Sequence, residues 1–216
     1  TSIGHSPIIS LIDSSIGSRS SIAEALTNIV FVPLKDALKS VSLSANWMWP
    51  ANNDSENHRL YQAVEACADF SINLGINIPT GKDSMSMKQK YKDKEVLSPG
   101  TVIVSAVGHT EDINKIIQPF IYNDSGSIYK IDFSSDSLKL GGSALYQSQN
   151  KIGATAPDIK NSEYFKKAFN TVQKCIKSNI IFSGHDISSG GLIVTLIEMC
   201  LASDNYGLEI NLINQD

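Results

Sequence analysis

Residues 75–87, GINIPTGKDSMSM, hold the reading on which the fold turns, because Gly81-Lys82 followed by small polar residues invites comparison with a phosphate-binding loop. A Walker loop runs G-x-x-x-x-G-K-[ST]: its glycines let successive backbone N–H groups curl around a phosphate, and the hydroxyl after the lysine holds magnesium. Asp83 stands where that hydroxyl is needed, and Ile76 where the first glycine belongs. The stretch is not a Walker loop. It reads instead as a short strand, Ile76 to Ile78, that delivers the chain into a loop beginning Pro79-Thr80-Gly81.

Working outward, residues 57–74 read as a helix carrying Leu60, Val64, Cys67, Ala68 and Leu74 inward and ending at Gly75, a left-handed cap. Upstream, Ser21-Ile22-Ala23-Glu24 has the S-x-x-E form of a capping box, and Ile22, Ala25, Leu26, Ile29 and Val30 form a helical stripe, which predicts a helix over 20–31. LSANWMWP (43–50) gathers both tryptophans beside Asn46, as packing or as the wall of a pocket. Met85 and Met87 alternate as in a strand and read as core. TVIVSAVG (101–108) is short and rich in β-branched residues, hence a buried strand.

The polar HTEDINK (109–115) marks a boundary between two lobes, 1–108 and 109–216. In the second, strands are expected at 127–133, 180–182 and 207–212, and helices after Gly141-Gly142-Ser143, over 161–178 with Phe165, Ala168, Phe169, Val172 and Ile176 on one face, and over 192–203. Strands and helices interleave in both lobes, so the fold class is α+β (mixed α/β).

The chain has 216 residues, 42% of them apolar, enough for a sizeable core. A net charge of −4 gives no basic footprint for nucleic acid. Cys67, Cys175 and Cys200 are odd in number and widely spaced, without C-x-x-C or metal-spaced histidines, so a reducing cytoplasm is the expected home. No apolar run reaches membrane-spanning length, and TSIGHSPIISLIDSS (1–15) has neither the basic n-region nor the apolar h-region of a signal peptide. The missing initial Met and the abrupt end at EINLINQD lead us to expect a fragment of a longer protein.

Several constellations carry chemistry. Glu24 and Asn28, four apart, either finish a capping box and face solvent, or offer a carboxylate and an amide oxygen to a hard cation such as Mg²⁺. SGHDISSGG (183–191) places Asp186, Ser188, Ser189, Gly190 and Gly191 before a helix: an anion site with a metal-bridging carboxylate, or a helix cap by Asp186 or Ser188. His185 reads as structural, since no nucleophile stands out for it to activate. In the opening stretch, Lys82 and Asp83 are candidates to orient substrate or phosphate by charge, with hydrogen bonds from Ser84 and the Gly81 backbone; the alternative is a surface turn with an internal Lys–Asp pair.

Five stretches, SRSSIAEALTNIVFVPL (18–34), SVSLSANWMWP (40–50), PTGKDSMSMK (79–88), LGGSALYQ (140–147) and HDISSGGLIVTLIEM (185–199), resemble in order and spacing the phosphoribosylformylglycinamidine synthase (formylglycinamide ribonucleotide amidotransferase) family. The resemblance covers essentially the whole chain. It implies the second half of the synthetase region of the large single-chain enzyme, with the first half and the glutaminase domain of this glutamine amidotransferase elsewhere. It further implies two lobes like the N- and C-terminal domains of aminoimidazole ribonucleotide synthetase, both truncated.

The implied reaction is that of a purine-biosynthetic ligase: ATP phosphorylates the amide oxygen of formylglycinamide ribonucleotide, and ammonia from glutamine displaces the phosphate to give the amidine, ADP, phosphate and glutamate. Carried over by motif, Glu24, Asn28 and Asp186 would hold Mg²⁺ at a nucleotide site, Ser188 would touch ATP or ADP, and Gly81 and Ser84 would meet substrate. Ser189 departs from the family's usual Asp. The chain alone is expected to be inactive and, through an unpaired sheet edge, able to homodimerise. The competing expectations are a non-catalytic nucleotide-binding scaffold and a free-standing synthetase of the aminoimidazole ribonucleotide type.

Overall fold

The computed structural model describes residues 1–121, 126–204 and 206–211. Thr101–Gly108 is a strand over the residues its β-branched sequence predicts, and it lies inside a four-stranded sheet. It pairs antiparallel on one side with Ser2–His5 and on the other with Val41–Met48, which in turn pairs parallel with Asn77–Ser84 at an edge. In chain order these strands are β1 (Ser2–His5), β2 (Val41–Met48), β3 (Asn77–Ser84) and β6 (Thr101–Gly108). A fully exposed hairpin of β4 (Lys88–Tyr91) and β5 (Lys94–Leu97) sits between the last two. Helices α1 (Pro7–Ile12), α2 (Ser14–Thr27) and α3 (Glu56–Leu74) complete the N-terminal half.

Alternation on β2 sends Val41, Leu43 and Ala45 to one face, where Val102, Val104 and Ala106 of β6 meet Ile22, Ala25 and Leu26 of α2 and Cys67, Phe70 and Leu74 of α3. Each such aliphatic or aromatic side chain contributes about 1.5–3 kcal/mol on burial.

Several local expectations give way to tertiary context. The second helix begins at Ser14, because the Asp13 carboxylate already accepts the Ile16 N–H at 2.9 Å. Ser21 is therefore mid-helix, its Oγ donating to the Gly17 carbonyl, and no capping box forms. The apolar face of α3 runs through Ala63, Ala66, Cys67, Phe70 and Leu74, leaving Val64 and Ala68 exposed and Leu60 half-buried, since the small alanines let α3 approach α2 closely. Gly75 caps it in the left-handed conformation as expected, at φ 76°.

The supposed loop at 79–84 is strand. Pro79 is tolerated on an edge, where the register with β2 shifts between Ser42 and Ser44. Gly81 approaches the Ala45 carbonyl so closely that a Cβ would lie 2.1 Å from the oxygen, and only glycine fits.

In the C-terminal half, α4 (Ala144–Ser148), α5 (Ser162–Lys177) and α6 (Gly191–Leu201) form near their predicted places. Asn161 caps α5, whose Phe165, Phe169, Val172 and Ile176 enter the same core as the N-terminal half. Phe165 meets Phe70 edge-on at 5.7 Å and Phe133 at 5.3 Å. The strands expected at 127–133, 180–182 and 207–212 are not strands among the described residues, 212 lying outside them. Residues such as Tyr129, Ile180 and Phe182 have β-favouring side chains but no ladder partner there, and Ser183 makes only an isolated bridge to Gln118.

Two long-range clips fasten this half down. Gln173, buried on α5, donates to the carbonyls of Val30 and Val32 at 2.6 and 3.0 Å and accepts the Leu34 N–H at 2.9 Å. Arg19 on α2 grips Asp158 through two hydrogen bonds of 2.8 Å, and the Asp158 N–H donates to Asp136, itself paired with Lys139. Burial pushes the Asp158 carboxyl up, but the Arg19 hydrogen bonds and the charges of Arg19 and Lys160 outweigh it and hold the group below the usual carboxylate range.

Gln173→Leu leaves two buried backbone groups and one half-buried carbonyl without their partner, and chemical denaturation should show a loss of about 2–5 kcal/mol with a single transition. For Asp158 the lowered folded pKa means stability that is present above the unfolded value of about 3.9 and is lost as pH falls through the folded one. Asp158→Asn should therefore lower the melting temperature at pH 7, and the gap to wild type should close below about pH 4.

Candidate functional site

A cavity of about 510 Å³ opens between α2 and the C-terminal half. Glu24 enters it from the flank of α2, and the connection before α6 supplies Asp186 and Ser188 from the opposite side. Phe31, Phe133 and Phe165 give apolar lining, while Lys130 and Lys139 add two ammonium groups.

The Glu24 carboxylate accepts the His5 N–H at 3.1 Å, so it is tied to β1 as well as facing the cavity. Burial pushes its pKa up; the His5 N–H and ring oppose this, and the charge of Asp186 adds to it. Two carboxylates thus repel one another across a partly desolvated space, an arrangement that favours a cation between them.

Neither Asp186 nor Ser188 caps α6: the cap position is Gly190, without a side-chain bond, and the Ser188 carbonyl accepts the Gly191 N–H at 2.9 Å. The Asp186 carbonyl accepts from Thr195 Oγ1 at 3.3 Å and lies 2.8 Å from His185 Nδ1. His185 Nε2 is 3.7 Å from Glu198. The histidine braces the connection, as its sequence reading holds.

Asn28 is placed differently. It is the C-cap of α2, its amide donates to the Ile3 carbonyl at 2.9 Å, and it does not line the cavity. The pair four apart on α2 therefore grips β1, and only Glu24 turns into the cavity. Among the described residues no three of His, Cys, Asp and Glu gather as a metal cluster. The oxygen donors available in the cavity are the carboxylates of Glu24 and Asp186 and the Ser188 hydroxyl, hard ligands of the kind Mg²⁺ takes together with phosphate and water.

Gly81, Lys82, Asp83 and Ser84 lie apart from the cavity, on β3 at the sheet edge. Lys82 Nζ donates to Ser84 Oγ at 2.7 Å, two residues along the same face, so the side-chain bond of Lys82 is to Ser84 and not the Lys82–Asp83 pair of the alternative surface-turn reading. Lys130 and Lys139 were not singled out from sequence: they sit in irregular backbone, and no periodic or motif signal marks them. Cys67, Cys175 and Cys200 are free thiols. Among the described residues, no helix is long and apolar enough to cross a membrane.

Residues 1–109 match the family model of the FGAR-AT PurM_N-like domain, and residues 133–213 that of the AIR synthase related protein, C-terminal domain. The chain is 39% identical over 212 residues to a probable phosphoribosylformylglycinamidine synthase, chloroplastic/mitochondrial, of Arabidopsis thaliana, covering 97% of this chain and 15% of that protein. It is 36% identical over 213 residues to the Homo sapiens phosphoribosylformylglycinamidine synthase, covering 98% and 16%. The chain thus spans about a sixth of the length of these relatives.

Among solved structures, Thermotoga maritima PurL complexed with FGAR superposes with a TM-score of 0.58 at 11% identity, over 92% of this chain and 30% of that one. The same protein complexed with AMPPCP gives 0.56 at 10%, over 93% and 28%. At such identity the likeness is one of fold, α+β with domains like the two of AIR synthase. With 109 of its 216 residues under the first family model and nearly all of its length aligned to proteins of one name, the chain belongs to the phosphoribosylformylglycinamidine synthase family, through its FGAR-AT PurM_N-like domain.

Proposed function

We propose that this chain is a portion of a phosphoribosylformylglycinamidine synthase and that the cavity between α2 and residues 185–189 is its nucleotide site. The observation that carries this reading is the convergence of Glu24, Asp186 and Ser188, far apart in sequence, on one cavity of about 510 Å³. The chemistry of the lining suits ATP or ADP. Phe31 and Phe133 offer an apolar surface to a base, Lys130 offers positive charge to phosphates, and the Ser188 hydroxyl offers a hydrogen bond.

Glu24 and Asp186 would hold Mg²⁺, with Asn28 at hand one helical turn away once its bond to Ile3 is given up. Bound there, the ion would neutralise phosphate charge and act as a Lewis acid. The chain's own residues orient and desolvate: α2 fixes Glu24, Thr195 and His185 hold the backbone that carries Asp186, and the aromatic lining excludes water.

In the whole protein we place this site within the ATP-dependent conversion of formylglycinamide ribonucleotide and glutamine to the amidine. Gly81 and Ser84 would face substrate, with Lys82 and Asp83 orienting it. The partners are the remaining synthetase half and a glutaminase domain, and β3 is an edge on which another sheet, or a second copy of this chain, could pair. The free thiols suit a reducing compartment such as the cytoplasm.

A second reading makes the nucleotide a structural ligand. It is favoured by the cavity being built from both halves of the chain, so that a bound molecule bridges them. Calorimetric titration with ADP and ATP, with and without Mg²⁺, tests the site itself. Saturable Mg²⁺-dependent binding that Asp186→Ala abolishes is expected, and binding that is indifferent to Mg²⁺ or to Asp186 would overturn the assignment. By mass action alone, ADP·Mg²⁺ at 100 times Kd should stabilise wild type by about 2.7 kcal/mol; if the nucleotide is structural, Glu24→Ala in the whole protein should be unstable, whereas a catalytic role should leave that variant stable but inactive.

A further inference from the structure

β1 is an end strand of the four-stranded sheet, paired with β6 along one edge. Residues two apart on a strand turn their main-chain groups to the same edge, and on the other edge of β1 the groups of Ile3 and His5 are met by side chains. The Ile3 carbonyl accepts from Asn28 Nδ2 at 2.9 Å, and the His5 N–H donates to Glu24 Oε2 at 3.1 Å. An amide donor and a carboxylate acceptor, one helical turn apart on α2, thus stand where the donor and acceptor of a next strand would be, and they close an edge otherwise open to pairing. Ser2 Oγ adds a third tie by donating to the Ala25 carbonyl at 2.5 Å. Gly4 lets β1 lie against α2, since a Cβ there would fall 2.2 Å from the Ser21 carbonyl oxygen.

The two side chains that close this edge are also the two on α2 assigned to the cation. Glu24 can serve both, because the bond from His5 takes only Oε2 and the side chain already lines the cavity. Asn28 cannot. It lies outside the cavity, and turning it inward breaks its bond to Ile3. The exchange is an easy one, for Asn28 is solvent-exposed, and a hydrogen bond open to water contributes little net free energy to lose. A cation and a main-chain carbonyl that draw on one amide in two positions are linked, and the linkage acts equally in both directions.

We propose that Asn28 is a latch: it holds β1 in the absence of a cation and lets the strand go when its oxygen turns to a cation beside Glu24, so that occupancy of the cavity is felt at the edge of the sheet. Whatever loosens β1 must in turn raise the affinity for the cation. The inference rests on the reading of the cavity as a Mg²⁺-nucleotide site.

Amide hydrogen exchange over Ser2 to His5 in the ¹⁵N-labelled chain, with Mg²⁺·ADP and with ADP alone, reads the latch. Saturating Mg²⁺·ADP should speed exchange there about two- to tenfold, the net worth of one hydrogen bond, and ADP alone should not. Ser2→Ala removes a tie of β1 without touching a cation ligand, and in calorimetry it should tighten Mg²⁺·ADP binding within the same range. In Asn28→Ala, exchange in β1 should be fast from the outset and indifferent to Mg²⁺·ADP, which the loss of a helix cap alone does not produce. Unchanged or slower exchange with Mg²⁺·ADP bound, the sign that Asn28 serves both partners at once, would overturn the proposal, as would unchanged or weaker binding by Ser2→Ala. Absence of Mg²⁺-dependent binding in wild type sinks the nucleotide assignment and this inference with it, whereas binding without a response in β1 sinks the latch alone.

Discussion

The chain leaving α2 has to turn sharply over residues 28–35 beneath the C-terminal half, and the turn buries Ile29, Val30, Pro33 and Leu34. Gln173 supplies what water would have supplied: one side-chain amide serves two carbonyls and one N–H. Buried amides of this kind contribute little when paired and cost much when not, so the glutamine acts mainly as a constraint on position. It fixes α5 against the exit of α2, and Lys177, bonded to the Lys35 carbonyl at 2.8 Å, extends the same seam. Everything that faces α2 from the far side, including the connection carrying Asp186, is placed relative to that seam.

Charge arrangement then decides what the resulting cavity can hold. The acidic pair of Glu24 and Asp186 sits opposite a lining that includes two lysines, and the clip from Arg19 through Asp158 to Asp136 and Lys139 ties the irregular segment beyond residue 129 to α2. The ion pairs on that route are short, and Asp136 and Asp158 are largely buried, which separates them from the exposed Lys88–Glu95 pair of the hairpin. Exposed pairs of the latter kind contribute about 0–1 kcal/mol.

What could be read in the sequence follows from whether the signal was local. The strand at 101–108 and helix α5 announce themselves through β-branched density and an apolar stripe at helical spacing, and tertiary packing agrees with both. The alternation Val41, Leu43, Ala45 was equally local, but serines and two tryptophans drew attention to packing instead of pleat. The S-x-x-E at Ser21 misled because a true cap, Asp13, stands eight residues, more than two turns, upstream. Strand-like runs after residue 126 lacked what no single run can encode, a neighbour to pair with. Motif resemblance singled out Glu24, Asp186 and Ser188, which line one cavity, whereas the Arg19–Asp158 contact joins residues 139 apart and leaves no pattern in either neighbourhood.

The pairing of Ser2 with Ala106 has a temporal side. Among the described residues the ladder partner of β1 is β6, which ends at Gly108, so that pairing forms only once β6 exists, and the turn after α2 waits longer still, since Gln173 lies 143 residues beyond Val30. During synthesis, α2 and α3 emerge with their apolar faces complete but their sheet unfinished. Closing such distant contacts is the slow part of folding, because loop entropy is lost before the contacts repay it. The cavity is lined by residues from Ser6 to Gly191, so its walls meet only across contacts of that separation.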